Sequence, residues 1–224
     1  RALSQRTALL NGAREMLGRG QPVWAMGLLR EVDPAHRDDA WKRVVLGVLP
    51  EHPPYATLHG SSALNYAAFS PDGTRVATAA VDGVLRIFRA DGTGEPVTIE
   101  AHRGSILHLA WSPDGTRVVT ASDDRNARIF RADGSGAPVE LSAHDGIVTA
   151  VAFNHDGRLV ATASHDGTGR VFRADGSGRS TLLPGHEGEI ARIEWSPDDR
   201  RLVTASNDGT ARVFDAAAPA RVVV

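Results

Sequence analysis

One spacing constrains this chain more than any other feature: 42 residues. Asp72, Asp114, Asp156 and Asp198 stand at that interval, as do Asp82, Asp124, Asp166 and Asp208, and also Phe88, Phe130, Phe172 and Phe214. Three independent series sharing one period mean tandem copies of a single structural unit. The copy at 144–172 shows its grammar, with apolar runs separated by Asp156-Gly157 and Asp166-Gly167. Asp-Gly between alternating apolar runs is the strongest short-range hairpin signal.

The unit resolves into four expected strands. Strand a falls at about 64–69, 106–111, 148–153 and 190–195, and strand b at 75–80, 117–122, 159–164 and 201–206. Strand c follows at 84–89, 126–131, 168–173 and 210–215. A glycine-rich turn, Arg-Ala-Asp-Gly-Thr/Ser-Gly in three copies, leads to strand d at 96–99, 138–141, 180–183 and 221–224. Four antiparallel strands repeated every ~40–45 residues make a propeller blade. The expected fold is therefore all-β: four blades at about 62–99, 102–141, 144–183 and 186–224, with Tyr55–Leu58 as an outer strand that closes the ring.

Residues 1–54 differ in kind. Apolar residues at three- and four-residue steps (Leu3, Leu9, Ala13, Met16, Leu17) predict an amphipathic helix. Further helices are expected at roughly 22–31 and 37–48, before a stiff linker, Leu49-Pro-Glu-His-Pro-Pro54. The chain starts at Arg1 rather than Met and reads as part of a longer protein.

Bulk properties remove several function classes. A net charge of −2, with Lys42 the only lysine, gives no basic field for nucleic acid or an anionic membrane. Without cysteine there are no disulfides and no thiolate metal sites. No run nears the ~18 apolar residues of a membrane span.

Over residues 55–224 the chain resembles the WD-repeat β-propeller family. The likeness rests on Ser70-Pro-Asp-Gly73, Ser112-Pro-Asp-Gly115, Asn154-His-Asp-Gly157 and Ser196-Pro-Asp-Asp199, and on Ala101-His102, Ala143-His144 and Gly185-His186. The Trp-Asp pair that ends strand c in the family is here Phe88-Arg89, Phe130-Arg131, Phe172-Arg173 and Phe214-Asp215. The resemblance implies a structural hydrogen-bond network running His102–Ser122–Asp124, His144–Ser164–Asp166 and His186–Ser206–Asp208; Ala80 stands where the first blade's Ser belongs. Phe130, Phe172 and Phe214 keep the apolar plug of the family's Trp while losing its N–H donor.

Catalytic patterns fail on closer inspection. His–Ser–Asp sets that recur with the fold point to structure, since an active site would occur once and would need an exposed Ser beside an oxyanion hole. His36-Arg37-Asp38 matches a kinase tripeptide, but Arg43 stands where a metal-binding Asn is needed. Asp133-Gly-Ser-Gly136 lacks the Gly-Lys-Ser/Thr of a phosphate loop. No cofactor and no metal is expected, and His155, His165 and the His186/Glu187/Glu189 group read as surface loops.

What varies between the copies points to binding. The residue before the b–c turn Asp is Val81, Asp123, His165 or Asn207, and the strand-a entry residues are Ser105, Ile147 and Glu189. The resemblance places these positions on the face where protein partners dock. The expectation is a non-enzymatic, cytoplasmic scaffold or sensor that binds a protein or peptide there. Leu28-Leu-Arg-Glu-Val-Asp-Pro34 together with the near-identical repeats resembles bacterial signalling proteins in which a Ser/Thr kinase or ATPase precedes the propeller. Rival expectations are an enzyme with a central-channel site and a purely structural array. The ring would be completed either by further blades, to about seven, or by two copies of the chain pairing.

Overall fold

The computed structural model describes residues 7–13, 15, 56–217 and 222–223. Its backbone divides into two compact units, Arg1–Thr57 and Leu58–Val224. In the first, residues 7–13 and 15 are helical, with Leu10 and Ala13 buried, in keeping with the apolar spacing there. The helices expected at 22–31 and 37–48 lie outside the described residues.

The second unit is four separate four-stranded antiparallel meanders. The first sheet comprises β1 (Leu64–Phe69), β2 (Arg75–Ala80), β3 (Val84–Arg89) and β4 (Val97–Glu100). The second has β5 (Ile106–Trp111), β6 (Arg117–Ser122), β7 (Ala127–Arg131) and β8 (Val139–Leu141). The third has β9 (Val148–Phe153), β10 (Leu159–Ser164), β11 (Gly169–Arg173) and β12 (Thr181–Leu183). The fourth has β13 (Ile190–Trp195), β14 (Arg201–Ser206), β15 (Ala211–Asp215) and β16 (Val222–Val223). Sheet order equals sequence order throughout, as blades joined by tight turns require. Each a–b pairing carries a register shift near the strand-a entry, for instance between Ile106 and His108. Such a bulge bends and twists the strand locally.

The core lies between the blades. Ala77, Ala79, Leu85 and Ile87 of the first blade pack on Ile106, Leu109, Trp111, Val118 and Phe130 of the second. Val119, Ala121 and Ile129 do the same against Val148, Val151 and Val160, and Ala161 and Ala163 against Ile190, Ile193, Trp195 and Leu202. Strand b is small because both of its faces are covered: Val118, Val119, Thr120, Ala121 and Ser122 are all buried. Phe88, Phe130 and Phe214 are buried where the plug was expected, and Phe172 is half-buried.

One feature differs from the expected outline. Residues 56–60 form no strand, Tyr55 lies outside the described residues, and the outer position of the fourth sheet is held by β16, within the strand d expected at 221–224, pairing Val222 with Phe214. The alternation at Tyr55–Leu58 spans too few residues to compete with a segment already tethered to β15. Among the described residues, β1, β5, β9 and β13 pack in succession and β13 does not pack comparably back on β1, so the four blades form an arc.

Candidate protein-docking rim

Antiparallel meanders put every b–c turn and every strand-a entry on one rim of the arc. The backbone ties them together in pairs: Val81 N–H donates to Ala63 O, Asp123 to Ser105 O, His165 to Ile147 O and Asn207 to Glu189 O, all at 2.9–3.1 Å. Val81, Asp123, His165 and Asn207 are exposed, as is Glu189, while Ser105 and Ile147 are half-buried. Side chains also join neighbouring blades on this rim. Glu189 of the fourth blade meets His165 Nδ1 of the third (3.3 Å) and accepts from its own blade's Asn207 Nδ2 (3.2 Å). At the other end, Asn65 Nδ2 donates to Ser105 Oγ and Ile106 O, each at 2.8 Å.

Beneath the rim, a buried polar set holds each turn against the loop before strand a. Nδ1 of His102, His144 and His186 lies 3.0, 2.9 and 2.8 Å from Oδ2 of Asp124, Asp166 and Asp208. Nε2 of each ring lies 2.7 Å from a threonine Oγ1, of Thr120, Thr162 and Thr204 respectively. This corrects the expected order of the network. The imidazole's second partner is the strand-b threonine, not Ser122, Ser164 or Ser206. Each serine instead accepts its own turn's backbone N–H, from Asp124, Asp166 or Asp208 at 3.1 Å. The reason is directional: Thr120 lies two residues before Ser122 on the same face of β6, farther from the b–c turn, whereas Ser122 abuts the turn.

Burial pushes the His102 and His144 imidazoles below their usual value despite the attraction of Asp124 and Asp166, so both are neutral at pH 7. Neutral rings carrying the proton on Nδ1 donate to the carboxylate and accept the threonine O–H at Nε2. Burial alone would raise the carboxylates. Hydrogen bonds overcome it, from His102 and Arg128 at Asp124 and from Thr168 and His144 at Asp166, and hold both at about 2. Asp208 is held well below the usual range by Thr210 and His186. Arg128 Nη1 adds bonds to Asp124 Oδ2 and Ala101 O in the second blade.

The first blade solves the same problem differently. Without a His at the corresponding Gly60, Asp82 accepts from Ser61 Oγ (2.5 Å) and pairs with Arg86 (3.1 Å), and Ser62 Oγ receives the Asp82 N–H.

Two sets of residues in the rim escaped the reading of motifs. One is Thr120, Thr162 and Thr204. The other is Gly104, Gly146 and Gly188, two residues after each His; a Cβ on Gly146 or Gly188 would come within 2.8 Å of the Asp166 or Asp208 backbone nitrogen. Both sets keep the 42-residue period, which was the available signal.

No arrangement here supports catalysis by serine, since the imidazoles are committed to Asp and Thr. Among the described residues no group of three or more His, Asp or Glu could hold a metal ion. No helix among them is long and apolar enough to cross a membrane.

The family model for the WD domain, G-beta repeat, matches residues 52–89, 94–131, 138–173 and 178–215, well over half of the chain. The chain belongs to the WD40 repeat family. No match to a curated protein is found. WD40 repeats mediate protein–protein interaction, and in this member the Trp of the strand-c ending is replaced in all four copies by Phe.

Proposed function

We propose that this WD40 domain is a non-catalytic interaction scaffold whose b–c rim docks a protein or peptide partner. The observation that carries the reading is the rim itself. A rigid, periodic hydrogen-bonded base presents one non-repeating side chain per blade: Val81, Asp123, His165 and Asn207, all exposed. Four different exposed side chains on one regular base give the non-repeating surface that recognition of one partner requires. Asp145, Glu187 and Glu189 make the third and fourth blades acidic at this rim, and Val81 makes the first apolar. A partner offering basic groups to one end and an apolar side chain to the other fits that gradient.

The resemblance of the 28–34 segment and the repeats to bacterial signalling proteins extends the reading. In it, the propeller is the regulatory part of a larger cytoplasmic protein whose catalytic domain is a Ser/Thr kinase or ATPase.

The test is affinity capture with mass spectrometry, comparing wild type with an Asp123→Ala/His165→Ala/Asn207→Ala/Glu189→Ala variant. A second variant altering the opposite rim at Asp91, Asp133 and Asp175 serves as control. A partner lost only from the first variant, with unchanged circular dichroism, supports docking at this rim. Equal retention by all three sinks it.

A further inference from the structure

Three departures from the repeat meet at the outer strand of the third blade, and they share one chemical sense. Arg179 and Ser180 stand where the second blade has Ala137 and Pro138, and Leu182 stands where it has Glu140. A cation and a hydroxyl are gained, and a carboxylate is lost. In the second blade Glu140 lies across the sheet from Arg128 and pairs with it at 3.2 Å, while Asp124 holds the same guanidinium at 2.9 Å. Arg86 of the first blade is likewise held by Asp82, at 3.1 Å. Arg170 is their counterpart in the third blade, and it lies across from Leu182. Among the described residues its side chain has one partner, the hydroxyl of Ser180, to which Nη1 donates at 3.3 Å. Its Nε is buried with no partner, the one such side-chain atom among the described residues. A half-buried guanidinium without a carboxylate is a charge the fold has not neutralised.

Arg170 lines a groove of about 430 Å³ between β8 of the second blade and β11 of the third. Arg173 and Arg179 line it too; both are exposed, and neither is in an ion pair among the described residues. Ser180 adds its hydroxyl, and the one carboxylate in the lining, Glu140, is already engaged with Arg128. The corresponding groove between the first and second blades is also about 430 Å³. There the arginine is Arg128, committed to Asp124 and Glu140, and Pro138 takes the place of Ser180.

We infer that the groove of the third blade binds a phosphate dianion, free or as the head of a small phosphomonoester, with Arg170, Arg173 and Arg179 as its cationic partners and Ser180 as a hydroxyl donor. The number of donors selects phosphate over a carboxylate. Three guanidiniums offer more forked N–H pairs than two oxygens can accept, whereas a phosphate presents three oxygens and carries more charge. The Ser180 hydroxyl accepts from Arg170 and keeps its own proton for the ligand. A volume within the range of small-molecule pockets leaves room for the carbon skeleton of an ester. None of these residues belongs to the b–c rim, so the site is independent of partner docking there.

Isothermal titration calorimetry of the full chain with inorganic phosphate, and separately with glycerol 3-phosphate, tests this. The expected result is one site per chain. Arg173→Ala and Arg179→Ala, both at exposed positions, should each weaken binding by about tenfold or more, the loss of one charge-assisted hydrogen bond. Arg131→Ala, in the corresponding groove of the second blade, should leave binding unchanged. Tighter binding of the ester than of the free ion identifies a phosphorylated small molecule as the ligand, and the reverse identifies inorganic phosphate. No binding of either would overturn the proposal. So would binding that Arg173→Ala and Arg179→Ala leave as in wild type, or that Arg131→Ala weakens as much as they do.

Discussion

The carboxylate of Asp199 grips His155 in the neighbouring blade, accepting its backbone N–H at 3.0 Å and lying 2.7 Å from its Nδ1. Both residues break the Ser-Pro-Asp-Gly turn: His155 replaces a Pro, which would have no N–H to offer, and Asp199 replaces a Gly at a φ of 56°. The two departures belong together. They occur at the one junction where the bridging arginines, Arg75 to Gly115 O and Arg117 to Gly157 O elsewhere, give way to Leu159, so the link from turn to turn passes from a guanidinium to a carboxylate.

A double-mutant cycle should expose that dependence. Asp199→Gly alone relieves the left-handed backbone but removes the acceptor of the His155 N–H, and His155→Pro alone leaves the carboxylate with Asn154 Nδ2 (3.3 Å) as its remaining side-chain donor from that turn. Together they restore the Pro and the Gly that the other turns carry at these two positions. Denaturant unfolding should show non-additivity of about 0.5–3 kcal/mol, with the double variant more stable than the sum of the singles allows. Additive effects would mean the two residues do not act as a pair.

Arg125 offers a simpler gain. It sits at φ 70° in the b–c turn, where the other three blades have Gly83, Gly167 and Gly209, and its side chain is exposed. An L-residue in the left-handed region costs roughly 1–2 kcal/mol, so Arg125→Gly should raise the unfolding free energy by about 1 kcal/mol after glycine's entropic penalty. A variant no more stable than wild type would show that the turn tolerates the strain through contacts of its own.

The fold was legible in the sequence because the repeat supplies four readings of the same unit. Strand a begins and ends as the spacing predicts in all four blades, and the b strands do likewise. The network was legible in its His and Asp members, and not in its threonines or its wiring. His102 and Asp124 are marked by identity and period, but which strand-b hydroxyl meets Nε2 depends on the depth of Thr120 against Ser122, and that is a matter of three-dimensional direction. No strand forms at 56–58, where a four-residue alternation carries little information. The His155–Asp199 pair is visible only as two separate anomalies until the blades are side by side.

The corrected wiring makes a sharp comparison. Thr120 and His102 are buried, and Thr120→Val removes the only bond to Nε2 while keeping the volume. A stranded buried acceptor costs about 1–3 kcal/mol. Ser122→Ala removes an acceptor of a turn N–H near the rim, a lesser loss of roughly 1 kcal/mol. Thermal and denaturant unfolding should therefore rank Thr120→Val below Ser122→Ala; the reverse order would favour the His–Ser wiring.

The Phe plug can be weighed against the same network. Phe130 is 7% exposed and its ring meets that of His102 edge-on at 6.4 Å. Phe130→Ala should cost about 3–5 kcal/mol, more than any single hydrogen bond of the set, and Phe130→Trp should be near neutral. Equal melting temperatures for wild type and Phe130→Ala would refute the packing account.

Acid should unfold the domain in two stages. His102 and His144 are held below their usual value by burial, and His108 is pushed down to about 4 by burial and then by Arg192. In the unfolded chain these rings take up protons near pH 6.5. The unfolded state therefore binds more protons than the native state between about pH 6.5 and 4, and stability falls as pH drops through that window. Asp124 and Asp166, held at about 2 in the fold, give a second loss between about pH 4 and 2, where the unfolded carboxylates protonate first. His108 lies against Tyr66, outside the rim network, with ring centroids 4.3 Å apart. His108→Gln should therefore shrink the upper stage, leaving the part due to His102 and His144, and keep the lower one in place. A wild-type unfolding free energy that stays level from pH 7 to 4 would show that these imidazoles are not held neutral by the fold.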